Sequence, residues 1–333
     1  MRPYVMGTGS SVPPERWTNE QLMDVLKARK PDGTLINPKW LEKRLGITTR
    51  ALNLDLPTLV KLSRDLGGLY DGDLAVLASR QALLDAGVES AEIDVIVHVS
   101  CTPDTNVCGD HWRFITTQLG LRKDVDLIHH NLGCAGLAAG LGSAFTSLKA
   151  NGGSTTVLLV ASNCPSGHMS VETMKNYVEY EHPWSWASPA VFGDGAAAMV
   201  LRMNGADKNG LLCTRYETDP SYGLVKYPGG GCLQHTQTSS LTQHLYLMDA
   251  KLVGEVYQPL MQRNFAMLQE DWPTRIEPVV HFGFDAQKVK RWYFHQANGV
   301  MVMATADLLR IPRERVPLNV DRYGNTSAAS TLI

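Results

Sequence analysis

The sequence has few features that would take the protein to a membrane, a nucleic acid or the cell exterior. Its 31 Lys and Arg residues are balanced by 33 Asp and Glu residues, so the formal net charge is -2 and no long-range field attracts a polyanion. The stretch 1–17 contains no apolar run of signal-peptide length. The uncharged run 128–148 includes His129 and His130 and is too polar to span a bilayer. We therefore expect a cytoplasmic protein without nucleic-acid or membrane partners.

Cysteine and glycine also lack the spacing of common cofactor sites. The six cysteines show no C-x-x-C pair and are too sparse for a disulfide scaffold; they lie at positions 101, 108, 134, 164, 213 and 232. The glycine-rich segments "GTGSSV" and "VFGDGAAAMVL" match neither the dinucleotide nor the phosphate-loop fingerprint. We predict reduced thiols, no metal ion, and no nicotinamide or flavin cofactor.

Apolar β-rich runs alternate with helical patterns in the first half of the chain. A helix is predicted over 73–88 and a buried strand over 93–101. The same order recurs with strand 124–130, helix 134–150 and strand 155–163. This alternation predicts an α/β layered architecture, with helices covering the faces of a sheet.

The second half of the chain repeats this alternation of strands and helices with different residues. We predict a strand over 290–295, a helix over 299–311, a strand over 316–320 and a turn over 321–325. The length of the chain favours two lobes. We place their boundary near residue 186, which gives an N-terminal lobe 1–185 and a C-terminal lobe 186–333.

Cys134, in "NLGCAGLAAG", stands where a strand gives way to a helix rich in small residues. A cysteine in the first turn of a helix lies near the positive end of the helix dipole, which favours the thiolate. Free cysteine is also among the residues most often buried for packing alone. The local sequence therefore leaves two readings open, a nucleophile and a structural thiol.

Two further residues of catalytic type occupy comparable junctions. His295 ends the predicted strand in "FHQAN", and Asn325 follows the predicted turn in "YGNTSAAS". Strand ends at the edge of a sheet are where α/β folds build their sites. Taken singly, such a histidine is usually an ordinary polar residue and such an asparagine part of a turn. Three coincident placements favour a site.

The motifs "NLGCAGL", "VFGDGAAAMVL", "FHQAN" and "NVDRYGNTSAAS" together resemble β-ketoacyl-acyl-carrier-protein synthase III and related condensing enzymes of the thiolase superfamily. The resemblance runs from "GTGSSVPPERWTNEQL" to the end of the chain. It implies a duplicated thiolase-like αβαβα fold, a homodimer, and a catalytic triad of Cys134, His295 and Asn325.

The resemblance also implies a reaction and its substrates. Cys134 would take an acyl group from a thioester of coenzyme A or of carrier-protein phosphopantetheine, and a malonyl-type extender would then condense with it after decarboxylation. No cofactor is implied. An acyltransferase on the same fold, passing the acyl group to an alcohol or amine, is the alternative. His295 and Asn325 favour condensation, because they can stabilise an enolate.

Substrate-binding residues are expected in two segments. Trp40 and Arg44, in "WLEKRLGITTR", occupy positions where the family holds the adenine end of coenzyme A. The segment "NVCGDHWRF" replaces the small apolar stretch of the acyl pocket and places Cys108, His111 and Trp112 near it. A simple acetyl primer is therefore not expected, and the pocket favours a specialised or secondary-metabolite pathway.

Two segments depart from the family pattern. The segment 164–191 is longer than expected and rich in aromatics, and it fits a dimer-interface loop and a substrate lid equally well. The sequence stops at "GNTSAASTLI", where relatives continue through a further helix and a glycine-rich strand pair. We expect the native chain to extend beyond Ile333.

Overall fold

The computed structural model describes most of the chain. The described residues are 2–30, 32–55, 63–105, 108–150, 154–168, 187–204, 210–217, 219, 221, 223–226 and 247–333. The strands are β1 Arg2–Ser11, β2 Arg16–Thr18, β3 Thr49–Ala51, β4 Val95–Val99, β5 Asp126–His130, β6 Thr156–Asn163, β7 Gly195–Asn204, β8 Val225–Lys226 and β9 Leu247–Met248. The α-helices are α1 Asn19–Leu26, α2 Pro38–Leu45, α3 Asp71–Ala86, α4 Cys108–Leu119, α5 Gly136–Ala150, α6 Ala187–Val191, α7 Ala250–Asp271, α8 Glu277–Val280, α9 Gly299–Leu308 and α10 Val320–Tyr323.

A five-stranded mixed sheet forms the centre of the molecule, in the order β1-β7-β6-β4-β5. Strands β5, β4 and β6 are parallel, and β7 runs antiparallel to both of its neighbours. The residues of β4 and β6 are buried throughout, as the β-branched run "VIVHV" predicts for a strand covered on both faces. The carboxyl ends of the three parallel strands therefore meet at one edge of the sheet.

Helices cover both faces of this sheet, which confirms the predicted α/β layering. One face packs against α3 and α4, with Leu74, Ile96 and Leu158 in the shared core. The other face packs against α5, with Val97, Leu148 and Leu159 in its core. The elements predicted in this half are confirmed with shifts of a few residues at their ends, which is the usual uncertainty of helix and strand ends.

The predicted boundary at residues 185 and 186 lies outside the described residues, as does most of segment 164–191. Strand β7 lies beyond that boundary in the chain, yet it is inserted between β1 and β6. The central sheet therefore contains a strand from the C-terminal side of the predicted boundary. The boundary itself stays a prediction.

The strands predicted over 290–295 and 316–320 are wrong. Neither segment forms a β-ladder, and the backbone hydrogen bond from Trp292 N ends at Arg315 O, just before the second segment, at 2.9 Å. Further along, the Gln296 side chain takes the place of a strand partner, donating to Pro317 O and accepting from Asn319 N. A β-ladder needs repeated backbone pairs, and side-chain bonds replace them here. Residues 320–323 form the short helix α10 where the second of these strands was predicted to end.

The C-terminal residues are bonded to distant parts of the chain. Thr48 donates both its backbone N–H and its hydroxyl to Asp321 O, at 2.8 and 2.7 Å across 273 residues of sequence. Asn325 pairs with Phe192 in a parallel bridge, in which Asn325 N donates to Val191 O and Gly193 N donates to Asn325 O. These bonds hold the segment that follows, 325–331, against the edge of the central sheet.

Helix α5 lies so close to the sheet that its first residue has no room for a side chain. A Cβ on Gly136 would stand 2.3 Å from Val99 Cγ1, a buried atom of β4. We expect Gly136→Ala to lower the free energy of unfolding by about 1–3 kcal/mol, because overpacking forces the helix or the strand to move. Urea unfolding measures the change.

A matched control is available in helix α7. Gly254 has open space around the position of its Cβ, so Gly254→Ala is expected to raise the free energy of unfolding by about 0.5–1 kcal/mol through helix propensity. Equal stability of Gly136→Ala and the parent protein would show that the contact between α5 and β4 is loose.

Candidate active site

Cys134 lies in the turn between β5 and α5, at the edge where the parallel strands end. The turn closes through a hydrogen bond from Gly136 N to Gly133 O at 2.8 Å. The helix begins at Gly136 rather than at Cys134 as predicted, so the thiol precedes the first helical residue. The side chain is partly buried and packs against the same core cluster as Cys101. This position leaves the sulfur close to the positive end of the helix dipole.

His295 is held on two sides in the segment that precedes α9. Its ring Nδ1 lies 2.9 Å from the hydroxyl of Ser330, and its backbone carbonyl accepts a hydrogen bond from the Tyr257 hydroxyl at 2.9 Å. Ser330 is fully buried. These contacts fix the ring so that it acts on the sulfur of Cys134 both as a charge and as a hydrogen-bond partner.

Asn325 is held through its backbone and through its side-chain oxygen. The backbone forms the bridge with Phe192, and Oδ1 accepts a hydrogen bond from Ser327 N at 2.8 Å. The amide Nδ2 is a donor-only group, and the side chain of Asn325 is a hydrogen-bond partner of Cys134. The structure therefore brings the three residues predicted as a triad together around one sulfur atom.

Ser327 is a fourth residue at the sulfur, and the sequence reasoning missed it. Its hydroxyl donates to Cys134 Sγ at 3.8 Å. Its φ of 55° lies in the left-handed region, which a non-glycine residue seldom adopts. Backbone strain of this kind concentrates at functional sites. Its position two residues after Asn325 was the available signal.

The surroundings of Cys134 favour the thiolate. Burial is the largest single influence and by itself raises the pKa of the thiol. The charge of His295 acts in the opposite direction, together with hydrogen bonds from His295, Ser327 and Asn325, and their sum holds the pKa of Cys134 below the ordinary value of a cysteine. The pKa of Tyr257 is raised by burial and by the nearby Cys134, so its hydroxyl stays protonated and donates to His295 O. A cysteine so placed is suited to nucleophilic attack.

Asn163 supports this site from the end of β6. Its Oδ1 accepts from Ala328 N at 3.3 Å, and its Nδ2 lies 3.3 Å from both Cys101 Sγ and Thr102 Oγ1. Because Ala328 follows Ser327 directly, this asparagine ties the segment that contacts Cys134 to the central sheet.

Comparison with known proteins agrees with this geometry. Residues 281–333 match the family model described as 3-Oxoacyl-[acyl-carrier-protein (ACP)] synthase III C terminal, and residues 61–207 match Chalcone and stilbene synthases, N-terminal domain. A curated relative, the β-ketoacyl-[acyl-carrier-protein] synthase III of Alkalilimnicola ehrlichii, is 28% identical over 327 residues, which cover 98% of this chain and 87% of the relative.

Solved structures of the same kind superpose on nearly the whole chain. The 3-oxoacyl-(acyl carrier protein) synthase III of Pseudomonas aeruginosa PAO1 has a TM-score of 0.76 at 25% identity, covering 99% of this chain and 87% of that one. The chain is a synthase III-like condensing enzyme of the thiolase superfamily. The C-terminal type III polyketide synthase domain of Steely1 from Dictyostelium shares the fold, with a TM-score of 0.73 at 20% identity over 100% of this chain and 90% of that one.

Trp40 and Arg44 of this condensing enzyme lie on helix α2. The Trp40 ring is partly buried against the same core cluster as Cys134, with Lys30 Nζ 5.3 Å from the ring centroid. Arg44 is exposed. The end of α2 meets the start of α9, where a Cβ on Gly46 would stand 3.0 Å from Val300 N. Helix α2 thus borders the segment that carries His295, and coenzyme A binding by Trp40 and Arg44 stays a prediction.

The residues predicted near the acyl pocket occupy helix α4 or its start. Cys108 is the first residue of α4, and its side chain lies outside the described residues. His111 is buried and contacts Asp71 and Asp104 in a polar cluster of the interior. The Trp112 ring lies 5.3 Å from that of His129. Contact of these three residues with an acyl chain stays a prediction.

None of the helices in the described ranges is long and apolar enough to cross a membrane.

Ser330 offers a test of how the ring of His295 is held. We expect Ser330→Ala to lower the turnover of the condensing enzyme about tenfold, the equivalent of one lost hydrogen bond of about 1.4 kcal/mol. Steady-state kinetics measures the loss. Ser188→Ala is the matched control, since Ser188 is also fully buried and accepts a backbone N–H, that of Met248, at 2.9 Å. An equal loss in both variants would trace the effect to general destabilisation.

Proposed function

We propose that this condensing enzyme transfers an acyl group from a thioester to Cys134 and then joins it to a malonyl-type extender with loss of carbon dioxide. The observation that carries the proposal is the cysteine in the turn before α5, whose pKa is lowered by His295 and by hydrogen bonds from Ser327 and Asn325. This classes the enzyme as an acyltransferase that produces β-keto thioesters for fatty-acid-like or polyketide biosynthesis.

The first half-reaction is an acyl transfer between two thiols. The Cys134 thiolate attacks the thioester carbonyl, the carrier thiolate leaves, and the acyl group stays on the enzyme as a new thioester. The tetrahedral intermediate carries a negative oxygen. The backbone N–H of Cys134, near the N-terminus of α5, is our proposed donor to that oxygen.

The second half-reaction creates a carbanion and uses it. Cleavage of the carboxylate of the malonyl group releases carbon dioxide and leaves an enolate whose oxygen needs hydrogen-bond donors. We assign this role to the ring N–H of His295 and the amide of Asn325. The enolate carbon then attacks the acyl carbonyl on Cys134, the bond to sulfur breaks, and the thiolate is restored. In the acyltransferase alternative, His295 acts as a base but Asn325 has no role in the chemistry.

The substrates and assembly are proposed from the family. Relatives are named as acyl-carrier-protein synthases, so we propose coenzyme A or carrier-protein thioesters as acyl donors. We propose that no further cofactor takes part in this reaction. A homodimer acting in the cytoplasm completes the proposal.

Intact-protein mass spectrometry tests the proposal directly. The enzyme is exposed briefly to a panel of acyl-coenzyme A and acyl-carrier thioesters, and malonyl-carrier protein is then added. We expect one acyl mass per chain, lost on addition of the extender as a β-keto product appears. An adduct that withstands malonyl-carrier protein but leaves with an alcohol or amine would establish the acyltransferase instead. Failure of every thioester to acylate the protein would contradict both.

A further inference from the structure

Ser327 contacts the sulfur of Cys134 from a strained backbone conformation, and two asparagine side chains bond the peptide groups on either side of it. Its φ of 55° is seldom adopted by a residue that has a side chain. The N–H of Ser327 donates to Asn325 Oδ1 at 2.8 Å. The next N–H along the chain, that of Ala328, donates to Asn163 Oδ1 at 3.3 Å. Two amide oxygens therefore hold the backbone that directs the Ser327 hydroxyl.

The amide of Asn163 has one orientation that satisfies its neighbours. The N–H of Ala328 can only donate, so the side-chain atom that faces it is the oxygen. The Nδ2 group then points to Thr102 and lies 3.3 Å from its Oγ1 and from Cys101 Sγ. Asn163 and Thr102 are buried. An amide turned by half a rotation would leave the N–H of Ala328 without an acceptor, which is costly in the interior.

The hydroxyl of Thr102 can accept from Asn163 because its own proton is used elsewhere. Cys164 N donates to Thr102 Oγ1 at 2.7 Å, and this hydroxyl donates to Asp71 Oδ2 at 3.3 Å. A hydroxyl offers one donor and two acceptor positions, so these two bonds and the one from Asn163 use all of them. The direction of every bond from Asp71 to Asn163 is therefore determined.

Asp71, the first residue of α3, is the fixed end of this chain of hydrogen bonds. Its side chain is fully buried, and its two oxygens accept from the hydroxyls of Ser100 and Ser162 as well as from Thr102. His111 Nε2 lies 3.4 Å from Oδ1. An ionised carboxylate is an acceptor only, and in the interior no water competes for it. It therefore takes the proton of Thr102.

We propose that Asn163 is a positioning residue for Cys134, and that Thr102 and Asp71 set the direction of its amide. Asn163 acts through Ser327, because its bond to the following peptide keeps the strained backbone in which the Ser327 hydroxyl lies 3.8 Å from the sulfur. This role rests on the function proposed above, in which the thiolate of Cys134 attacks a thioester.

Loss of this support has a sign that can be measured at the sulfur. Burial by itself raises the pKa of the Cys134 thiol, and the hydrogen bond from Ser327 is one of the contacts that lower it. Replacing Asn163 leaves the burial as it is and releases the hydroxyl, so the pKa of Cys134 should rise. A residue that only packs would change the free energy of unfolding without changing this pKa.

The test follows alkylation of Cys134 by iodoacetamide against pH, read by peptide mass spectrometry. We expect Asn163→Leu, which replaces the amide with an apolar group of similar shape, to raise the midpoint by about one pH unit. We expect Ser327→Ala to raise it by a similar amount. In the double variant the two shifts should not add, because Asn163 acts through Ser327. An unchanged midpoint in Asn163→Leu, or shifts that add, would overturn the proposal.

A milder pair of variants covers a failure of Asn163→Leu to fold. Thr102→Val removes the hydroxyl that accepts from the amide, and Thr102→Ser keeps it. We expect the midpoint to rise by about half a pH unit in Thr102→Val and to stay in place in Thr102→Ser, since a bond between neutral groups is about half as strong as one to a charge. Equal midpoints in these two variants would overturn the proposal.

Thr305→Val is the matched control for Thr102→Val. Thr305 is also fully buried, but its hydroxyl has no hydrogen-bond partner within the described ranges. We expect the midpoint of Cys134 in this variant to equal that of the parent. A shift as large as that in Thr102→Val would trace the effect to general loosening of the interior and overturn the proposal.

Alkylation needs no acyl substrate, so its outcome is separate from the reaction assigned to the enzyme. Midpoints that shift as expected in a protein that no thioester acylates would contradict the proposed function and support the positioning of the sulfur. Acylation of the parent with unchanged midpoints in the variants would do the reverse. If both hold, acyl loading of Asn163→Leu at neutral pH should be slower by up to about tenfold.

Discussion

Replacing Cys134 with Ala is expected to abolish acyl loading and to lower condensation at least about 10⁴-fold. The thiolate makes and breaks the bond that stores the acyl group, and no hydrogen bond substitutes for a missing nucleophile. The substitution removes only the sulfur atom from a partly buried side chain, so the variant should stay folded with an almost unchanged melting temperature. Intact mass after exposure to thioesters measures loading, and product formation measures condensation.

Cys213→Ala is the matched control for this variant. Cys213 is also a partly buried free thiol, but burial and the neighbouring Asp271 raise its pKa, which disfavours the thiolate. We expect Cys213→Ala to load and condense as the parent does. Acylation that persists in Cys134→Ala and disappears in Cys213→Ala would show that Cys213, and not Cys134, is the nucleophile.

Replacing His295 with Ala is expected to lower condensation about 10²–10³-fold and to shift the reactivity of Cys134 to higher pH. The first effect follows from loss of one donor to the enolate oxygen. The second follows from the sign of the pKa change, because His295 lowers the pKa of Cys134 while burial raises it. Without the imidazole the burial remains, so the pKa rises and the thiolate fraction at neutral pH falls.

The pH profile of iodoacetamide alkylation separates these two effects. The midpoint for Cys134 should move to higher pH in His295→Ala and stay in place in His281→Asn, which changes an exposed histidine whose backbone has the left-handed conformation that asparagine tolerates. An unchanged midpoint in His295→Ala would show that the ring does not act on the sulfur.

The sequence predicted the central sheet well, because its strands and helices have simple patterns. Strands β4 and β6 are continuous apolar runs, and α3 ends at a glycine with φ of 61°. The segment 290–295 was predicted as a strand from its aromatic residues, yet it forms no β-ladder, and the Gln296 side chain supplies hydrogen bonds where a partner strand would supply backbone ones. The periodicity of a sequence indicates which residues are buried in an extended segment. It does not indicate which other segment that one pairs with.

The candidate site was likewise predicted only in part from the sequence. Cys134, His295 and Asn325 carried recognisable motifs, whereas Ser327 takes part through a backbone conformation that letters do not show. His111 was placed near the acyl pocket, and its interior contacts with Asp71 come from a residue 40 positions away in another helix.

The bonds between Thr48 and Asp321 can form only after the chain has been synthesised as far as Asp321. They close a loop of 273 residues, at a loop-closure cost on the order of 5 kcal/mol. Cys134 leaves the ribosome long before His295 and Asn325 do, so a nascent chain carries its nucleophile without the groups that lower its pKa. We therefore expect the thiol to be less reactive towards cellular thioesters until the segment 325–331 has been made and has docked on the sheet.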